Sequence, residues 1–69
     1  MFNARKFRAA VILKGLTLRA VASELGIAEA TLYRKMHGRS DFSRKEIQML
    51  CKLLEIDDPS TIFFAEDLA

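Results

Sequence analysis

The sequence predicts an all-α fold of five short helices around one core, and three observations carry that prediction. Apolar residues recur at helical spacing, while no segment alternates with period two over a useful length. Four of the helical stretches are preceded by a capping residue, Asn3, Thr17, Ser43 or Asp58, and glycines Gly15, Gly26 and Gly38 punctuate the chain where helices should stop. A hydrophobic share of 51% with 29% charged residues supplies a core and keeps the remainder hydrated, which argues against disorder.

Asn3 caps a first helix running to about Lys14, with Gly15 as the left-handed residue that ends it. Phe7, Ala10, Val11 and the stem of Lys14 lie at i, i+3, i+4 and i+7 and can enter a core; Ile12 and Leu13 fall partly off that face. Those two either widen the buried stripe or form an exposed contact surface. Thr17 caps a second helix of about two turns, with Val21, Ala22 and Leu25 on one face and Gly26 as its stop. A third helix covers roughly Ala28 to Met36, with Leu32 and Met36 facing inward and Gly38 breaking it.

Ser43-Arg44-Lys45-Glu46 has the Ser-x-x-Glu form of a capping box, in which each side chain accepts the other residue's free N–H. The helix it opens runs to about Glu55, and Ile47, Leu50, Cys51 and Leu54 make its apolar face. Asp58-Pro59 reads as cap and first residue of a short fifth helix through Ile62, Phe63 and Phe64. Residues Ala65 to Ala69 have no partner signal and are expected to fray.

At 69 residues the chain has room for one domain, spanning 1–69, and little stability to spare. The net charge of +2 and pI near 9.0 fit contact with nucleic acid without requiring it. Cys51 has no second cysteine to pair with and reads as a small buried core residue. The longest N-terminal apolar run, Ala9 to Leu13, is far below the ~18–20 residues that span a bilayer, and no cleavable signal pattern follows. A cytoplasmic location is expected.

The segment from Thr17 to Gly38 carries the functional signal. A helix-turn-helix needs a small residue where the helices meet, a turn residue tolerant of positive φ, and apolar anchors that hold the second helix across the first. Ala22, Gly26 and the set Leu25, Ile27 and Leu32 supply these at consistent spacing.

On those positions the stretch TLRAVASELGIAEATLYRKMHG resembles the helix-turn-helix of phage repressor and Cro-like proteins, a family of five-helix, lambda-repressor-like DNA-binding domains. Leu16-Thr17, the stretch TLYRKMHGRSDFSRKEI from Thr31 to Ile47, and the ending IFFAE from Ile62 also look like small proteins of temperate phages from Gram-positive hosts. The resemblance implies a transcriptional regulator whose third helix enters the major groove of operator DNA. It places Glu29, Ala30, Thr31, Tyr33 and Arg34 towards base edges, with Arg19, His37 and Arg39 among the DNA contacts at the backbone side. Arg34 suits guanine because its planar fork donates two parallel bonds. Arg39, Arg44 and Lys45 would add the sequence-independent electrostatic part.

The sequence also departs from that pattern. Leu18 stands where Gln is common, and the third helix begins Ala28-Glu29-Ala30 instead of with polar donors. Glu29 faces phosphates at a cost unless it accepts from cytosine, and Ala30 offers only a methyl contact. Ile12, Leu13, Leu16 and Leu18 cluster around the first helix end, more like a protein-binding patch than a phosphate clamp. In that respect the chain also resembles a phage antirepressor, or modulator of repression, that binds a repressor's DNA-binding domain. The expected partners are therefore double-stranded DNA, a phage repressor, or both, with a possible homodimer on DNA.

No catalytic constellation is visible: there is no Ser/His/Asp or Cys/His set and no glycine-rich phosphate loop. His37 lacks a second His or Cys at ligand spacing, so no metal or cofactor is expected, and it reads as a helix-end residue before Gly38.

Overall fold

Hydrogen bonds at the capping residues set where the helices begin. The computed structural model describes residues 1–64 and contains α1 (Ala4–Leu13), α2 (Leu18–Leu25), α3 (Glu29–Met36), α4 (Arg44–Leu54) and α5 (Ser60–Phe63). The Asn3 side chain accepts from the Lys6 amide at 3.0 Å, and the Thr17 hydroxyl accepts from the Ala20 amide at 3.1 Å. The Ser43–Glu46 capping box closes in both directions: the Ser43 amide donates to Glu46 Oε1 at 2.8 Å, and the Glu46 amide donates to Ser43 Oγ at 3.1 Å. Each cap satisfies amides that have no partner inside the helix.

The expected helix ends shift by about one residue. Pro59 precedes α5 instead of opening it, although its φ/ψ of −64°/−21° is already helical. Asp58 still works as a cap, because its carboxylate accepts from the Ser60 amide at 3.1 Å and the Ser60 hydroxyl at 2.6 Å. Phe64 falls just beyond α5 and is exposed. The expected fraying of Ala65 to Ala69 lies outside the described residues.

Two residues from each helix build the core: Phe7 and Val11, Val21 and Ala22, Leu32 and Met36, Leu50 and Leu54, Ile62 and Phe63. Burying side chains such as Phe7, Leu32 and Leu50 completely stabilises the fold by roughly 1.5–3 kcal/mol each. Leu25, Ile27, Ile47 and Cys51 pack against this core but are only half-buried. Cys51 is thus not the buried residue expected; it sits on the flank of α4, where partial burial still pushes its thiol pKa up. Lys14 is also off the core face: it follows the last residue of α1, is exposed, and pairs with Glu55 at the end of α4.

Four aromatic rings join elements far apart in the chain. Phe2 lies 5.3 Å from Phe7, 5.0 Å from Phe42 and 5.5 Å from Phe63, centroid to centroid. Phe42 meets Phe63 edge-on at 5.6 Å, a favoured arrangement for the ring quadrupoles. The loop between α3 and α4, which carries Phe42, is thereby packed against α1 and α5.

Candidate nucleic-acid interface

Gly26 sets the angle between α2 and α3. It adopts φ 71° and ψ 29°, the left-handed conformation that costs an ordinary L-residue but not glycine. With this turn the Gly26 amide donates to the Ser23 carbonyl and the Ile27 amide to the Ala22 carbonyl, both at 3.0 Å. That is the Schellman pattern, and it satisfies carbonyls α2 would otherwise leave open. Ile27 then packs on the core edge, and the chain re-enters a helix at Glu29 with Ala28 as cap residue.

α3 lies against α2, anchored by Leu32 at 0% exposure and Met36 at 3%. The i, i+4 spacing of these anchors turns the remaining positions outward. Glu29, Ala30, Tyr33, Arg34 and His37 are exposed and Thr31 is half-buried, so all six positions expected to meet DNA keep some accessible surface. Arg34 Nη2 donates to Thr31 Oγ1 at 3.2 Å, tying the guanidinium back along the helix towards its N-terminal turn. Tyr33, at 36% exposure, stands at the border between core and surface.

His37 follows Met36 as the cap residue of α3, and Gly38 comes next with φ 78°. The Arg39 amide donates to the Arg34 carbonyl at 3.0 Å, fixing the start of the following loop; the Arg39 side chain is exposed. Arg19, near the start of α2, is exposed as well.

The four apolar residues around the end of α1 divide into two pairs. Ile12 and Leu13 are 73% and 86% exposed, whereas Leu16 and Leu18 are half-buried and pack against the core. Leu16 is drawn in because its amide bonds the Val11 carbonyl at 3.0 Å after the turn at Gly15.

Sequence reasoning missed Lys35. Its side chain retains only 13% exposure, and its Nζ donates to the Asp41 carbonyl at 2.9 Å and pairs with Glu46 Oε1 at 3.1 Å. Glu46 accordingly titrates below its ordinary value of 4.5. Partial burial works to raise it, but the Ser43 amide bond together with the Lys35 hydrogen bond and charge outweigh that effect. A lysine in the last turn of α3 reads as a surface cation in the sequence; its partners lie eleven and six residues further on.

Among the described residues, no group of three or more His, Cys, Asp or Glu is placed to hold a metal ion, and no helix is long and apolar enough to cross a membrane. A short helix pinned by Leu32 and Met36 across a preceding helix, with a polar outer side and a left-handed glycine between them, defines a helix-turn-helix protein of the DNA-binding class. The chain matches the Cro/C1-type HTH DNA-binding domain family over residues 6–67 and belongs to it. Searches of characterised proteins and of solved structures returned no match. Family membership makes it a DNA-binding transcription regulator whose partner is double-stranded DNA.

Proposed function

We propose that this chain acts as one helix-turn-helix domain in a phage-type genetic switch, reading operator DNA by laying α3 in the major groove. The observation that carries this reading is the Arg34–Thr31 pair on the exposed side of α3, backed by the fully buried Leu32. A guanidinium already steered by a neighbour loses less freedom when it engages guanine O6 and N7. Ala28 contributes no side-chain cap to α3, so a phosphate oxygen fits at its first amides. Arg19, Arg39, Arg44 and Lys45 add charge at the backbone side, where the His37 ring supplies a hydrogen-bonding group, and Glu29 and Ala30 suit cytosine N4 and a thymine methyl. One such module covers little DNA, so two copies would occupy half-sites about one helical turn apart, in the host cytoplasm.

Fluorescence anisotropy with DNA from the control region next to its gene tests this at low and near-physiological salt. Sequence-selective binding that survives the higher salt is expected. Arg34→Ala should weaken it by roughly 1–3 kcal/mol, and an unchanged affinity would refute this docking.

One observation favours a second reading. Ile12 and Leu13 stand exposed side by side at the end of α1, a patch suited to the DNA-binding domain of a partner repressor in an antirepressor role. Leu13→Lys is the sharper probe of that role, because Leu16 and Leu18 pack against the core and their substitution would also disturb folding. Loss of repressor capture in Leu13→Lys supports the second reading; an unaltered affinity refutes the patch.

A further inference from the structure

α3 carries two adjacent cations, Arg34 and Lys35, and the fold uses them differently. Arg34 is exposed and bonded to its own helix neighbour Thr31, whereas the Lys35 ammonium is turned towards the α3–α4 loop. There it meets the Asp41 carbonyl at 2.9 Å, Glu46 Oε1 at 3.1 Å and the face of Phe42 at 5.9 Å from the ring centroid. The same Glu46 oxygen accepts from the Ser43 amide at 2.8 Å. One ammonium thereby ties together Asp41, Phe42, Ser43 and the first turn of α4. An ammonium with three donors in tetrahedral array can serve a carbonyl and a carboxylate at once.

The tethered stretch is flanked by Arg39 on one side and by Arg44 and Lys45 on the other, all exposed. Both partners of the ion pair are largely withdrawn from water, at 13% and 16% side-chain exposure. Salt therefore screens the pair less than a surface pair, and removing one partner leaves the other poorly solvated.

We propose that Lys35 is a positioning residue for DNA binding: through Glu46 and the Asp41 carbonyl it holds residues 39–45 at a fixed place beside α3. In this arrangement Arg39, Arg44 and Lys45 meet phosphates in register with Arg34, and Lys35 itself touches no DNA. The proposal rests on the reading of α3 as the groove-reading helix.

Glu46→Gln decides the matter because its two possible effects have opposite sign. Removing a negative charge beside the DNA tightens binding by simple Coulomb attraction, whereas loosening the loop weakens it. Operator affinity is measured for the wild type, Lys35→Met, Glu46→Gln and the double variant across a salt series, at a temperature where circular dichroism shows each to be folded. Glu46→Gln keeps an oxygen for the Ser43 amide, so it remains a usable probe should Lys35→Met fail to fold.

The expected result is about a tenfold loss in each single variant, with the double variant no worse than the weaker single, as for coupled residues. The dependence of affinity on salt should become shallower in both, because phosphate contacts are lost. A role in stability alone would lower the melting temperature and leave affinity and salt slope unchanged, which overturns the proposal. Loss confined to Lys35→Met, with unchanged or tighter binding by Glu46→Gln, makes Lys35 a direct phosphate contact and also overturns it. A wild type without sequence-selective binding removes the groove-reading role itself, and this proposal with it; retained wild-type binding that is sensitive to Arg34→Ala separates the two failures.

Discussion

Gly26 allows backbone conformation and space to be separated in a single turn. Its φ of 71° is left-handed, yet a Cβ built on it meets nothing within 4 Å. Replacing it with L-alanine should therefore cost only the backbone penalty, about 1–2 kcal/mol for an L-residue in that region. Alanine also restricts the unfolded chain, which returns about 0.4–1 kcal/mol. The expected net loss is about 1 kcal/mol, a fall in melting temperature of roughly 4–8 °C for a chain of this size. D-alanine prefers positive φ and enters the same open space, so only the unfolded-state effect survives and the protein should gain about 0.4–1 kcal/mol. Chemical synthesis gives both variants, and thermal and urea denaturation followed by far-UV circular dichroism gives the comparison. A D-alanine variant less stable than wild type, or an L-alanine cost above about 3 kcal/mol, would show that the turn is crowded and refute the reasoning.

Two further outcomes are expected. Leu32→Ala, although in α3, should act through the core and cost about 2–5 kcal/mol, read from the urea midpoint, because Leu32 is fully buried. Glu46 titrates lower in the fold than its ordinary 4.5, so its contribution to stability is complete above that value and disappears as pH falls through the lower folded value. Glu46→Gln should therefore lose stability against wild type above pH 4.5 and converge on it in acid; a gap that persists in acid would refute the assignment.

The helices were legible in the sequence because their signals are local. Asn3, Thr17 and the Ser43–Glu46 box each act over three residues, and every one forms its bond. The exposed side of α3 was legible for the same reason, since Leu32 and Met36 at i, i+4 dictate which neighbours point outward. Features that depend on distant partners were not legible. Phe2 and Phe42 are 40 positions apart, yet their ring centroids lie 5.0 Å from each other. Lys35 looks like one more surface cation until the loop folds back and supplies Asp41 and Glu46. Glu55, with φ 52°, ends α4 in a conformation that glycine usually takes, and its residue type gives no hint of it. Leu16 and Leu18, which follow the turn at Gly15, pack against the core, while Ile12 and Leu13 before it stay exposed.

The Asn3 cap has a consequence for how the chain acquires its shape. While its side chain starts α1, its amide donates to the Ile62 carbonyl at 2.6 Å, across nearly the whole described sequence. During synthesis that partner does not exist until Ile62 has been added, so α1 can form early but cannot be clasped in place. A ribosome-bound fragment ending at α4 would lack both that clasp and the core residues Ile62 and Phe63. Hydrogen exchange at the Asn3 amide should then report the opening of the whole structure, not the fraying expected so near a chain end.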